Sequence, residues 1–438
     1  MDKIIKSLKR IDYKLFGALI VMALLPLIYS TVRIYFLGDL PAEWGVNIAS
    51  QLSWVGLFYE IIQEAIILPL FYFIGGVLND KEELSNRIKT GLLVTFLIYT
   101  SASLLIIIFA KPLVNFMAQS KELVDATIKY IRLETVAYIF ITMVKFSVIV
   151  LITLKKERKL FLILAVQMVI TILFDTLFIS KTRFSLNLGV NGIAYTNILT
   201  NAILMIVMFY LFIKDRIFVE NKKLSFSWMK EFIHVGGISG LESLVRNLFF
   251  MIMIVKMVNI VGEQGVFWLA NSFIWGWLLL PILQLGELIK RDCGVEEEKA
   301  VENKTYSYAI LTSIITVIWI LTIPLWRDFM KFIYNSGEYE KIYYICLISL
   351  VFYILFAYNN MFTSIFYGLG RTDYILYQSL IINIFYYGAC YILYKNGIFV
   401  PSLINIALMF GLGMGVGSIV TFAIFIWMIR KKRLKLYL

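Results

Sequence analysis

Histidine is almost missing from this chain: His234 is the only one among 438 residues. One imidazole, with no cysteines or carboxylates clustered beside it, does not make a metal site. Cysteine is nearly as scarce. Cys293, Cys346 and Cys390 show neither paired spacing nor a metal-binding pattern, and read as buried or loop thiols. Charge is thin too, at 16% of residues against about 25% in ordinary soluble domains. No phosphate-cradling glycine loop and no nucleotide motif occurs, and no soluble module offers itself for ATP hydrolysis or for nucleic acid. No cluster of catalytic side chains stands out, so the sequence does not read as an enzyme and implies no cofactor.

What is abundant is apolar sequence. Hydrophobic residues make up 60% of the chain, and the mean hydropathy is +0.82. They lie in runs of about 20 residues or more, the length of a bilayer-crossing helix. Twelve candidate spans follow, at 13–37, 46–77, 88–110, 124–153, 160–179, 190–213, 231–258, 265–289, 305–326, 342–368, 373–395 and 402–429. The first is too long for a signal-peptide core and lacks a small-residue cleavage site, so it reads as a retained helix. Lysine and arginine in the loops set the orientation. With the N-terminus in the cytoplasm, 27 basic residues fall in the inside loops and tails and 8 in the outside loops. The expected fold is an all-α polytopic protein of the cytoplasmic membrane with both termini cytoplasmic. Its +12 net charge then mostly marks the inner face and its attraction to anionic lipid. A cysteine placed in the C-terminal "RKKRLKLYL" should resist membrane-impermeant thiol reagents on intact cells and label only after permeabilisation.

The chain also repeats itself. "STVRIYF" at Ser30 and "SLVRNLF" at Ser243 share Ser, Val, Arg and Phe in order, 213 residues apart. Pro69 matches Pro281 and Pro112 matches Pro324, both 212 residues on, in a chain with only seven prolines. Leu188-Gly189 matches Leu412-Gly413 at an offset of 224. Two six-helix lobes are expected, 1–218 and 219–438. Six is even, so both lobes enter the membrane from the same side, which gives a parallel repeat about an axis along the membrane normal. Such repeats are typical of secondary transporters that bind substrate between the halves. A channel would need a short filter segment, and none is visible.

These motifs resemble the multidrug and toxic compound extrusion (MATE) family, within the superfamily that also holds polysaccharide and lipid-linked flippases. "LPLIYSTVRIYFLG" in span 1 is similar to the family's first helix, "FYFIGGVLNDKEELSNRIKTG" to its Gly-rich turn and acidic loop after span 2. "ILFDTLFI" resembles the family's "ILDPLFI", and "LGVNGIAYTNILTN" its "GVxGAAxAT". The resemblance implies twelve helices, a transport role and coupling to H+ or Na+ through an N-terminal aspartate. At that aspartate's position this chain carries Arg33. Where the second half often has Glu it carries Arg246. The partner aspartate is kept as Asp175, and the family's asparagine four residues before it is Thr171.

Charges inside spans are the remaining clue. An ionised group at the bilayer centre costs roughly 2.5–3.5 kcal/mol on insertion scales, so it usually faces the bundle interior and a partner. Arg33 and Asp175 each lie four residues before the outer end of a span, at similar depth. Either they pair, or Arg33 reaches the outer headgroups. Glu60 and Glu64 share one face of span 2, with Gln63 beside them. They are a proton-carrier candidate, or a charge balance for Arg33, which is expected near them. Glu242 lies one turn before Arg246 and is a possible partner for it. Glu134 and Lys145, eleven residues apart, share a face of span 4. Arg33, Asp175, Thr171, Glu60 and Glu64 are thus the candidates for coupling or ion pairing. Arg246, Glu242, Gln63, Lys145 and Glu134 are candidates for a substrate cavity. Aromatics, 16% of the chain, suit amphipathic cations through their ring faces or form interface belts.

The expected function is a monomeric MATE-like exporter of amphipathic small molecules working by alternating access, with an atypical cation site. The alternatives are a flippase or exporter of an anionic lipid-linked or phosphorylated substrate, with Arg33 and Arg246 as anion clamps, and a non-transporting membrane scaffold.

Overall fold

The computed structural model describes residues 8–437 apart from 41, 68, 155 and 220–223. Helix is their regular secondary structure, joined by turns and irregular segments, with no strand among the described residues. In a bilayer every backbone N–H and C=O must be satisfied within the segment, and a helix does that. In chain order the helices are α1 (Tyr13–Gly38), α2 (Ala42–Ser50), α3 (Leu52–Ile66), α4 (Leu70–Gly75), α5 (Lys81–Phe116), α6 (Val124–Thr153), α7 (Glu157–Phe178) and α8 (Asn191–Lys214). They continue as α9 (Met229–Phe250), α10 (Lys256–Ile260), α11 (Gln264–Phe273), α12 (Leu280–Glu296), α13 (Glu298–Asp328), α14 (Tyr339–Gly368), α15 (Thr372–Leu380), α16 (Gly388–Lys395) and α17 (Leu403–Lys432). Four π-helical turns interrupt the later ones, at Met251–Val255, Ile274–Leu278, Phe329–Ile333 and Ile381–Tyr387.

Among the described residues ten helices are long and apolar enough to cross a membrane, and a bent pair makes an eleventh. The twelfth expected span, 46–77, is built in pieces as α2, α3 and α4. Its last break falls at Pro69. Proline has no N–H to give and its ring clashes with the carbonyl four residues back. The matching Pro281 does similar work. It opens α12 just after the break at Leu279, where Gln264–Leu278 and Leu280–Glu296 meet at 52°. Paired prolines therefore break the second span of each sequence half.

By packing, the chain falls into two compact units, Ile28–Gly265, and Met1–Leu27 with Val266–Leu438. The boundaries of these units lie inside α1, just past Pro26, and after Gly265, whereas the sequence repeat leads to an expected division at 218/219. In unit 28–265, α6 packs on α5 and α8, α7 on α8, and α3 on α9. One core gathers Ile67, Leu70 and Phe73 with Ile88 of α5, Phe146 and Val150 of α6, Met208 and Phe212 of α8, and Trp228 and Phe232. The segment between the sequence halves is tied down on α5. Val219 N–H donates to Ser85 Oγ at 2.9 Å, Ser225 N–H to Asn86 Oδ1 at 2.9 Å, and the Trp228 indole to Thr90 Oγ1 at 3.1 Å. In the other unit α14 packs on α12, α13 and α17. Helix ends are chemically marked. Asp80 accepts from the N–H groups of Glu82 and Glu83 at the start of α5, and Ser402 from Asn405 N–H at the start of α17. Arg430, Lys431 and Lys432 fill the last turn of α17, where cations favour the helix dipole.

Just past α8, Asp215 takes hydrogen bonds from both Lys156 and Lys159. Burial opposes its ionisation, but the two ammonium groups outweigh burial and hold the carboxyl below its ordinary value. A folded-state pKa below the unfolded one adds stability above the unfolded value, and that stability disappears as pH falls through the folded one. Asp215→Asn should therefore lower the unfolding midpoint at neutral pH. The gap from the unmutated protein should close as pH falls below about 4.

Candidate ion-pair sites inside the membrane helices

Arg33 on α1 and Asp175 on α7 meet. The guanidinium donates from Nε to Asp175 Oδ2 at 2.8 Å and from Nη2 to Oδ1 at 3.2 Å. Asp175 is 0% exposed and the Arg33 side chain 15%. This is a two-pronged pair, the geometry for which arginine is suited and lysine is not. Arg33 thus turns inward rather than to headgroups. Thr171, one turn before Asp175, is buried. Beside the pair lies Glu134 of α6, 1% exposed. Its Oε1 accepts from Asn197 Nδ2 of α8 at 2.8 Å and from the Tyr130 hydroxyl at 3.3 Å. Arg33 and Asp175 are both close enough to act on it electrostatically.

Glu60 and Glu64 correct the sequence expectation. Their cation is Arg246, not Arg33. Arg246 Nη1 donates to Glu60 Oε1 at 3.1 Å and Nη2 to Glu64 Oε1 at 2.8 Å. The reason is the close approach of α9 to α3. A Cβ on Gly236 would sit 1.9 Å from the Ala65 carbonyl oxygen, and one on Gly240 would sit 2.7 Å from Ala65 Cβ. Small residues four apart let two membrane helices touch backbone to backbone. That seam lays Arg246 across the Glu60–Glu64 face. The shared face of Glu134 and Lys145 also does not join them. Eleven residues span about 16 Å of helix, so each finds its own partner. Lys145 Nζ donates to Gln63 Oε1 at 2.7 Å. The Glu242 side chain lies outside the described residues.

Sequence reading missed two polar clusters. Gln51 and Asn259 exchange side-chain hydrogen bonds at 2.8 and 3.1 Å, and the Trp54 indole donates to Gln51 Oε1 at 2.9 Å. Amides in apolar helices were the available signal, but nothing local says which pair. In the other unit, buried Asp292 accepts from the Tyr308 hydroxyl at 2.8 Å, Lys304 at 3.0 Å and Arg291 at 3.1 Å. That aspartate sits within a charged stretch of mixed sign, 290–304, between the expected spans 265–289 and 305–326. Among the described residues no group of His, Cys, Asp and Glu side chains could hold a metal ion.

No family model matches the sequence, and no curated protein matches it. Solved structures do. The chain is similar to an inward-facing multidrug resistance MATE family transporter of the MOP superfamily at 19% identity and TM-score 0.67, over 91% of this chain and 92% of that one. It is similar to an outward-facing MATE family transporter at 18% identity and TM-score 0.65, over 97% and 96%. The chain has the MATE fold. The MATE architecture of twelve helices in two lobes is therefore the frame in which the broken second span counts as one crossing. A third neighbour, at 19% identity and TM-score 0.67 over 97% and 96%, is a MOP superfamily transporter from Pyrococcus furiosus. For that protein a reverse polarity of the binding pocket suggests a different function.

Proposed function

We propose that this chain is a MATE-like secondary transporter that exports amphipathic small molecules by alternating access, with Arg33 as a tethered substitute for the coupling cation. The observation that carries this reading is the two-pronged grip of Arg33 on buried Asp175. Both carboxylate oxygens that a bound sodium ion would use are taken by a group that is always charged. Sodium should bind there weakly or not at all. The likeness to solved inward- and outward-facing MATE transporters supports a cycle between two such states. The protein works as a monomer in the cytoplasmic membrane, with a small-molecule substrate.

One observation favours the anionic-substrate reading. Lys145 is exposed in mid-span and hydrogen-bonded to a neutral amide, Gln63. Arg33 and Arg246, by contrast, each hold carboxylates. Purified protein in sealed vesicles with an imposed proton gradient separates the readings. Accumulation of a labelled amphipathic cation, unchanged by adding sodium, is the expected result. Preference for a labelled anion that disappears in Lys145→Gln would replace it with the flippase reading. No movement of either probe would leave only the scaffold.

A further inference from the structure

The ion pair between α1 and α7 has a third ionisable side chain within electrostatic reach, Glu134 of α6, and the three charges do not balance. Arg33 brings one positive charge. Asp175 and Glu134 bring two carboxyls, 0% and 1% exposed. Arg33 commits two donors to Asp175. Among the described residues, Glu134 receives hydrogen bonds only from neutral groups, the Asn197 amide and the Tyr130 hydroxyl. The groups acting on it are Arg33 from α1, Asp175 from α7, and Tyr130 and Tyr138 from its own helix, while α8 supplies the neutral Asn197. A buried carboxylate without its own cation is costly, and such groups neutralise by taking a proton. The hydrogen bonds agree. Both end on Oε1. That is the oxygen left to accept when a proton sits on the other.

We propose that the cluster holds one exchangeable proton, carried by Glu134, and that Arg33 is shared between the two carboxyls according to whether that proton is present. This rests on the transport reading and names its coupling group. With Glu134 protonated, Arg33 belongs to Asp175, as the structure places it. When water reaches Glu134 the proton leaves to it, the carboxylate forms, and the guanidinium swings to bridge both acids. The positive charge stays on the protein throughout and only the proton crosses. Gln63, Glu60 and Glu64 take no part, since Arg246 and Lys145 already occupy them.

Infrared difference spectroscopy on the purified protein in lipid tests this without any transport. At neutral pH the unmutated protein should show a protonated-carboxyl C=O stretch. Glu134→Gln, which keeps the amide-sized side chain, should lose it. Asp175→Asn should lose it too, because Arg33 then belongs to Glu134 alone and ionises it. Arg33→Gln should enlarge it, with two carboxyls left to neutralise. Glu60→Gln and Glu64→Gln should leave it as it was. A band that survives Glu134→Gln overturns the assignment. One that survives Asp175→Asn overturns the sharing of Arg33. In vesicles, Glu134→Gln should flatten the pH dependence of transport. Transport with an unchanged pH profile in that variant sinks the proton site and spares the transporter. A band that behaves as expected in a protein that moves nothing does the reverse.

Discussion

Arg33→Ala should cost about 3–5 kcal/mol of stability, the usual penalty for stripping one partner from a buried pair. The loss comes mainly from what remains. Asp175 would be a carboxyl with 0% exposure and no guanidinium on either oxygen, left to bear an unpaired charge or to take up a proton at a cost. Unfolding in mixed micelles should show the drop directly. Arg33→Ala/Asp175→Asn should recover most of it, since the stranded charge is gone. A double variant as unstable as the single would mean that Arg33 acts through packing rather than charge. Arg33→Asp is the sharper functional partner of this experiment. It places two acids where the resemblance puts them, and sodium-dependent behaviour should appear that the unmutated protein lacks.

The second large effect concerns a residue with no charge at all. Gly236→Val should cost about 3 kcal/mol, at the upper end for overpacking. The obstacle is the backbone carbonyl of Ala65, 1.9 Å from the new Cβ, and a backbone cannot step aside as a side chain can. α9 would have to lift from α3, taking Arg246 from Glu60 and Glu64. Loss of packing and loss of the ion cluster should therefore appear together. Gly237→Ala is the control. A Cβ there meets nothing within 4 Å, so stability should hold or rise slightly. Equal losses at both positions would mean that the cost does not come from the α9–α3 seam.

These two sites were not equally legible in the sequence. Arg33 and Asp175 could be matched by depth alone, because each lies near the outer end of a span running the same way. Arg246 could not. Its carboxylates lie more than 180 residues away on α3, and their meeting depends on which face of α9 lies against it. The signal was present as Gly236 and Gly240 in "HVGGISG", but glycine spacing names a contact face without naming the partner. Glu60 and Glu64 were rightly paired with each other and wrongly with their cation for the same reason. Span 2 showed as one run because apolar composition carries no record of breaks, although Pro69 marked the last of them. The Gln51–Asn259 exchange could not be assigned, since an amide in an apolar helix signals a need for a partner but carries no charge that says which one.

The π-helical turn at Met251–Val255 has a consequence for how this chain tolerates change in length. A π turn is an α-helix that has absorbed one extra residue in a local bulge. The flanks keep their faces, so Arg246 looks toward α3 before the bulge and Asn259 toward Gln51 after it. Removing one residue from within the bulge should therefore close it to an ordinary turn and leave both contacts standing. The same deletion a turn earlier would rotate Asn259 by about 100° and break its amide exchange. Four such bulges occur among the described residues, all beyond residue 250. Each is a slack link where the count of residues and the geometry of faces are uncoupled.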